Sequence, residues 1–196
     1  MVEPARHRKE KKQEEIRANI FKATVALVNQ FSYEDVTVRM ICKEADVSVE
    51  MFYRTFGSKS EILPYFYDEA VADYETTVRN SLKDLPPRER LISFYIWVTE
   101  FTSGFGLDFV KHFFSTNWKV QKPDYIDNQV VHLGTKLLEE MTASGDITLT
   151  KEPMQATHDI LVIIKGILFD WCISDVKYDI SAYARAILER VIWDLL

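Results

Sequence analysis

TVRMICKEADVSVEMFYRTF, residues 37–56, divides into two short helical stretches about a tight turn, and GSKSEIL follows at once. At 100° per residue, Ser48, Phe52, Thr55 and Phe56 of the second stretch cluster on one side, with Met51 at its margin. Val49, Glu50, Tyr53 and Arg54 fall on the other side. A helix that packs through two phenylalanines and presents a short mixed polar stripe is shaped to touch a partner. Its width suits the major groove of double-stranded DNA, which admits a helix and displays a base-specific pattern.

Outward from this stretch, helical periodicity dominates. Ile16, Ile20, Ala23, Leu27 and Phe31 repeat at three to four residues and predict a first helix over about 12–30. Thr37 is the expected N-cap of the second helix, which places Ile41 and Ala45 on one face with Cys42 beside them. Asp46-Val47-Ser48 makes the turn, and Ser48 caps the third helix. Ser58-Lys59-Ser60-Glu61 matches a capping box and predicts a long fourth helix to about Leu82. Pro86-Pro87 opens a fifth helix running to about Thr102, and a sixth follows Gly104 and Gly106. Pro123 precedes a seventh, to about Ala143, and the last two span about 153–174 and 179–195. The expected fold is all-α: a three-helix head, a long fourth helix, and a larger helical body, divided as residues 1–58 and 59–196.

The composition agrees with this plan. Of 196 residues, 47% are apolar and 13% aromatic, enough for sizeable cores, while six glycines and six prolines are few. The formal charge of −6 is unevenly spread: residues 1–60 carry 11 Lys/Arg against 9 Asp/Glu, and residues 61–196 carry 13 against 21. The basic character is sharpest in Arg6, Arg8, Lys9, Lys11 and Lys12, which read either as phosphate contacts or as a solvated tail. Cys42 and Cys172 stand far apart in apolar stretches and read as buried free thiols of a reducing compartment. No apolar run is long enough to span a bilayer and none follows the charged N-terminus as in a signal peptide, so the expectation is a soluble, cytoplasmic protein without a membrane partner.

Several chemistries are absent from the pattern. His112, His132 and His158 share no ligand spacing and have no cysteine nearby, so no metal site is expected. No glycine-rich phosphate loop follows a strand and no serine-centred elbow occurs, so neither a catalytic residue nor a cofactor is expected.

Ile20 to Leu63 resembles the N-terminal DNA-binding domain of the TetR/AcrR family of bacterial transcriptional regulators. The residues that carry the resemblance are the helix-one pattern ending near Phe31, Thr37, Ile41-Cys42, Ala45-Asp46-Val47-Ser48, Phe52-Tyr53-Arg54-Thr55-Phe56 and Ser58-Lys59-Ser60-Glu61-Ile62-Leu63. The resemblance implies that Thr37, Ser48, Val49, Glu50, Tyr53, Arg54 and Lys59 face DNA. Tyr53 and Lys59 would hold phosphates, Lys59 aided by the amino end of the fourth helix, and Thr37 and Ser48 would also serve the backbone. Val49, Glu50 and Arg54 would meet base edges. Two departures stand out. Asp46 occupies a turn position where the family usually has glycine, and Val49-Glu50 replaces a frequent Lys-Gly or Arg-Gly pair. Glu50 either accepts from a cytosine N4 amine or points aside and slightly weakens binding.

The aromatic body has two readings. Trp97, Phe101, Phe105, Phe109, Phe113 and Trp118 at helical spacing, with Trp171, are core residues, or some of them wall a cavity for a small apolar or aromatic effector, as the family implies. The last two helices are apolar on more than one face, which predicts a homodimer through a four-helix interface. Together these readings describe a ligand-released repressor acting as a homodimer on a palindromic operator. The alternative is a helical interaction or small-molecule-binding protein whose head has lost DNA reading.

Overall fold

The computed structural model describes residues 5–120, 127–174 and 178–196, with the side chains of residues 5–7, 9, 10 and 116–120 outside that description. Among the described residues all regular structure is helical. The order is α1 (Ala5–Val28), α2 (Val38–Glu44), α3 (Val49–Thr55), α4 (Tyr65–Asp73), a π-helical turn (Tyr74–Val78), α5 (Arg79–Leu82), α6 (Pro87–Gly104), α7 (Leu107–Val120), α8 (Gln129–Ala143), α9 (Pro153–Ile173) and α10 (Ile180–Val191).

Helix α1 differs from its sequence expectation at both ends. It begins at Ala5, because the Lys-, Arg- and Glu-rich run that precedes its apolar stripe consists of strong helix formers. It ends at Val28, so Phe31 leaves the stripe and is 46% exposed. The basic N-terminal segment is therefore helical from Ala5 onward, and Arg8, Lys11 and Lys12 are exposed on it.

The short helices form where their caps direct. Thr37 Oγ1 accepts from the Met40 amide at 3.2 Å and starts α2, and Ser48 Oγ accepts from the Met51 amide at 3.1 Å and starts α3. Helix α2 closes with the Val47 amide donating to the Cys42 carbonyl at 3.0 Å, a Schellman closure that requires a left-handed residue between. Asp46 takes that conformation, with φ 52°. Because a Cβ is strained there and aspartate is among the residues that tolerate it best, Asp46→Ala is expected to lower stability by about 1 kcal/mol in thermal unfolding. Asp46→Gly should cost nothing measurable, since the relief of strain offsets the greater freedom of glycine in the unfolded chain.

The expected long fourth helix is segmented. The capping box does not form: Ser58 Oγ donates to the Glu61 carboxylate at 3.2 Å instead of capping an amide, and Lys59–Glu61 is a 3₁₀ turn. Pro64 has no amide to give, and the chain re-enters the helix through tight bonds from the amides of Tyr65, Phe66 and Tyr67 to residues three back. Near its C-terminal end the helix widens into the π turn at the β-branched run Thr76-Thr77-Val78, where Thr76 Oγ1 donates to the Ala72 carbonyl at 2.7 Å. The helix expected after Pro123, a residue outside the described ones, is α8, which starts at Gln129 and ends at Ala143 as read. The Asn128 side chain caps α8, accepting from the amides of Val130 and Val131.

Contacts divide the chain into two compact units, residues 1–69 with 106–113, and residues 70–105 with 114–196. The first unit is larger than the head expected at residues 1–58, for a reason of core size: one long helix and two of seven residues bury little surface by themselves. The first turn of α4 and the first two turns of α7 complete the core. Phe21 meets Tyr65 at 5.4 Å and Phe109 at 5.8 Å between ring centroids, both edge to face, and Phe66 meets Phe113 at 4.8 Å. The chain enters α7 at Gly106, φ 89°, where a Cβ would lie 2.3 Å from Asn29 Oδ1, so only glycine fits.

In the second unit α6 is the central helix, burying Leu91, Ile92, Phe94, Tyr95, Ile96, Trp97 and Val98 against α8, α9 and α10. Gly134 lets α8 approach closely, since a Cβ there would sit 2.8 Å from Thr157 Cγ2. Cys42 and Cys172 are buried and joined in no disulfide, and burial pushes the Cys42 thiol above its ordinary value. No helix among the described residues is long and apolar enough to cross a membrane.

Candidate nucleic-acid interface

The polar face read from the sequence is present on α3. Phe52 and Phe56 are buried, with their rings 6.4 Å apart, while Val49 (42% exposed), Glu50, Tyr53 (53% exposed) and Arg54 lie outside. Burial of the two phenylalanines fixes the rotation of the helix about its axis, and the opposite face is left to solvent. Glu50 in the first turn and Arg54 in the last complement the helix dipole, a structural role that Glu50 serves whether or not it meets a base. Arg54 Nη2 donates to Met51 Sδ at 2.9 Å, one of five guanidinium donors.

Thr37 and Ser48 are exposed at the starts of α2 and α3. Each hydroxyl uses an oxygen lone pair to accept from the helix amide, which leaves its O–H available to donate outward to an anion. Capping and phosphate contact are thus compatible in the same side chain.

Lys59 departs from the sequence expectation. Its ammonium donates to the Tyr33 carbonyl at 2.6 Å and the Val36 carbonyl at 2.7 Å, and lies 4.1 Å from the centroid of the Tyr33 ring. Tyr33 returns the contact, its hydroxyl donating to the Lys59 carbonyl at 3.2 Å. Lys59 opens a short 3₁₀ turn rather than a long helix, and its ammonium ties that turn to the loop ahead of Thr37. Burial pulls the Lys59 ammonium below its ordinary value, against the pull of Glu34 and Asp35. Burial, with Glu34 adding to it, pushes the Tyr33 phenol up to about 12, so the phenol remains a donor at neutral pH.

Sequence reasoning missed Tyr33, His112 and Arg17. The His112 imidazole, from α7, stacks on the Tyr33 ring with centroids 3.4 Å apart and planes 16° apart. Arg17 of α1 places its guanidinium 5.4 Å from the Phe56 ring and 5.2 Å from the Tyr65 ring, and the Tyr65 hydroxyl donates to Glu14 at 2.6 Å. Arg17 had one legible signal, a cation one turn before buried Ile20. Tyr33 and His112 are separated by 79 positions, and no local periodicity marks their contact.

The seven aromatic residues that read as core or as cavity wall are distributed over both units. Phe109 and Phe113 belong to the core of the first unit, packed on Phe21 and Phe66, because the first two turns of α7 complete that core. Trp97, Phe101 and Phe105 form a run in the second unit, Trp97 to Phe101 at 5.8 Å and Phe101 to Phe105 at 5.0 Å. Trp97 is buried against Tyr74 and Phe94, and its Nε1 donates to Asp73 at 2.7 Å. Trp171 is half-buried on α9, and the Trp118 side chain lies outside the described residues. Among the described residues no group of three or more His, Cys, Asp or Glu side chains could hold a metal ion.

Residues 20–65 match the family model described as bacterial regulatory proteins, tetR family. No curated protein matches the chain. Among solved structures, the transcriptional regulator FadR from Bacillus subtilis, in complex with stearoyl-CoA, is similar with a TM-score of 0.67 at 20% identity, over 91% of this chain and 98% of that one. FadR from Thermus thermophilus, a TetR-family transcriptional repressor in complex with lauroyl-CoA, has a TM-score of 0.67 at 16% identity, over 92% and 94%. RolR in complex with resorcinol has a TM-score of 0.62 at 14% identity, over 95% of each chain. At these identities the likeness is one of fold.

Proposed function

We propose that this chain, whose N-terminal residues 20–65 belong to the tetR family of bacterial regulatory proteins, is a sequence-specific DNA-binding transcriptional regulator, a ligand-released repressor that acts as a homodimer. The observation that carries the reading is the face of α3, where Val49, Glu50, Tyr53 and Arg54 stand exposed on a helix fixed by buried Phe52 and Phe56. Tyr53, with the Thr37 and Ser48 hydroxyls, grips phosphates, and Val49, Glu50 and Arg54 meet base edges. Arg8, Lys11 and Lys12 on the exposed start of α1 add to the phosphate attraction.

Fluorescence anisotropy across a salt series, with duplexes flanking the encoding gene, tests the reading. Specific binding with a steep salt slope is expected. No binding at low salt would sink it and leave a helical interaction protein. Arg54→Ala should change which sequence is preferred, whereas Tyr53→Ala should weaken all duplexes alike. An Arg54→Ala variant with unaltered preference would remove that residue from base reading.

The homodimer forms through α9 and α10. Val162, Phe169 and Ile173 make an exposed apolar stripe on α9, and Tyr183 and Trp193 are exposed on and just after α10. Gly166, at the centre of the α9 stripe with open space above it, lets a partner helix approach. Two recognition helices in such a dimer read half-sites about 34–36 Å apart. The effector is apolar or aromatic and binds among the aromatic residues of the second unit, Trp97, Phe101, Phe105 and Trp171. Support for a small-molecule effector comes from the ligands of the similar structures, acyl-CoA in two and resorcinol in a third. Such a ligand releases DNA only if it binds the DNA-free geometry more tightly. A co-purified small molecule seen by mass spectrometry, and operator affinity that falls as it saturates, are the expected results.

A further inference from the structure

We propose that His112 is a positioning residue for DNA binding, holding the loop ahead of Thr37 through the Tyr33 ring and Lys59; this rests on the DNA-binding reading above. Three contacts make the chain. The imidazole stacks on the Tyr33 ring at 3.4 Å, and the Lys59 ammonium lies over the same ring at 4.1 Å. An imidazole nearly parallel to the ring fills one face, so the ammonium takes the other and the phenol ring is held between them. Lys59 then bonds the carbonyls of Tyr33 and Val36, and Val36 adjoins Thr37, whose hydroxyl caps α2.

Each link has a physical role. The ring keeps the ammonium in place by cation–π attraction, and the ammonium fixes two carbonyls of a loop that has no regular structure of its own. Remove the imidazole and one face of Tyr33 opens to water. The ring gains rotamer freedom, and the ammonium loses a fixed surface to rest on. DNA binding must then order the loop at its own expense, which lowers affinity without removing any phosphate contact. His112 lies on α7, a single helix from Leu107 to Val120 that continues from residues of the first unit into residues of the second. The helix that supplies the clamp is therefore not part of the DNA-reading head in sequence.

The test uses the full chain, a duplex from the region flanking the encoding gene, and a duplex of unrelated sequence. His112→Ala should weaken both by roughly three- to tenfold, the range expected for loss of one aromatic pair, with the salt slope unchanged. His112→Phe keeps a stacking ring and should remain within about twofold of wild type. In the DNA-free protein, amide hydrogen exchange over residues 32–38 should quicken in His112→Ala and not in His112→Phe. A salt slope that falls by about one in His112→Ala would mean that His112 touches a phosphate itself, and would overturn the proposal. So would unchanged affinity in His112→Ala, or a His112→Phe variant as weak as His112→Ala. If wild type binds neither duplex, the DNA-binding reading fails, while the exchange comparison still decides whether the stack holds the loop.

Discussion

Lys59→Ala is expected to lower affinity for every duplex by more than tenfold and to destabilise the N-terminal unit by about 2–3 kcal/mol, the range for hydrogen bonds to a charged group. The Tyr33 and Val36 carbonyls each lose a charge-assisted donor, and the Tyr33 ring loses its cation. Calorimetry of the DNA-free protein reads the structural share, since no phosphate is present. Anisotropy across salt reads the rest. An ammonium carries three donors and two are committed to carbonyls, so the third is free to meet a phosphate. In that case the salt slope drops by about one as affinity falls. Lys59→Arg should recover little, because a planar guanidinium cannot place two donors on these carbonyls and a point charge on the ring at once. A Lys59→Ala protein that melts like wild type would refute the clamp, whatever its DNA affinity.

The second large effect concerns α9. Phe169 is 57% exposed and Ile173 is 63% exposed, one turn apart on the same stripe. In the proposed homodimer, changing both to glutamate would place four carboxylates across a two-fold axis, where desolvation and like-charge repulsion oppose association. Sedimentation should show a monomer. Far-UV circular dichroism should be unchanged, because neither side chain contributes to the core of its own chain. Specific operator affinity should fall by a hundredfold or more, since the second half-site no longer benefits from the effective concentration that the first creates. Weak binding by a single head should persist. A variant that remains dimeric would move the interface elsewhere.

Much of the fold was legible because it is local. Thr37 and Ser48 announce their helices through cap chemistry that needs only three residues of context, and both caps form as read. The face of α3 followed from periodicity, with Phe52 inside and Tyr53 outside. Asp46 read as part of the turn, at a position where the resembled family usually has glycine, and its φ of 52° is the left-handed conformation glycine favours. Local rules also misled. Ser58 and Glu61 have capping-box spacing, yet the serine donates to the glutamate, because Pro64 prevents a regular helix from continuing through the box. Phe31 continued the spacing of α1 and was still left outside, because the helix had already ended.

What the sequence by itself determined is a pair of short capped helices, the rotation of the second about its axis, and hence the side chains on its exposed face. These depend on interactions within a few residues, and a periodic pattern records them faithfully. Only the tertiary structure decided what holds that pair in place. Lys59, expected only as a phosphate contact, also clamps the loop before α2. Phe109 and Phe113, which read as core or as cavity wall, lie in the core beneath α1 and α4. His112 came to lie on Tyr33. Each of these pairs residues from 23 to 88 positions apart, and burial of such a contact is settled by which helices meet, a property that no single segment encodes.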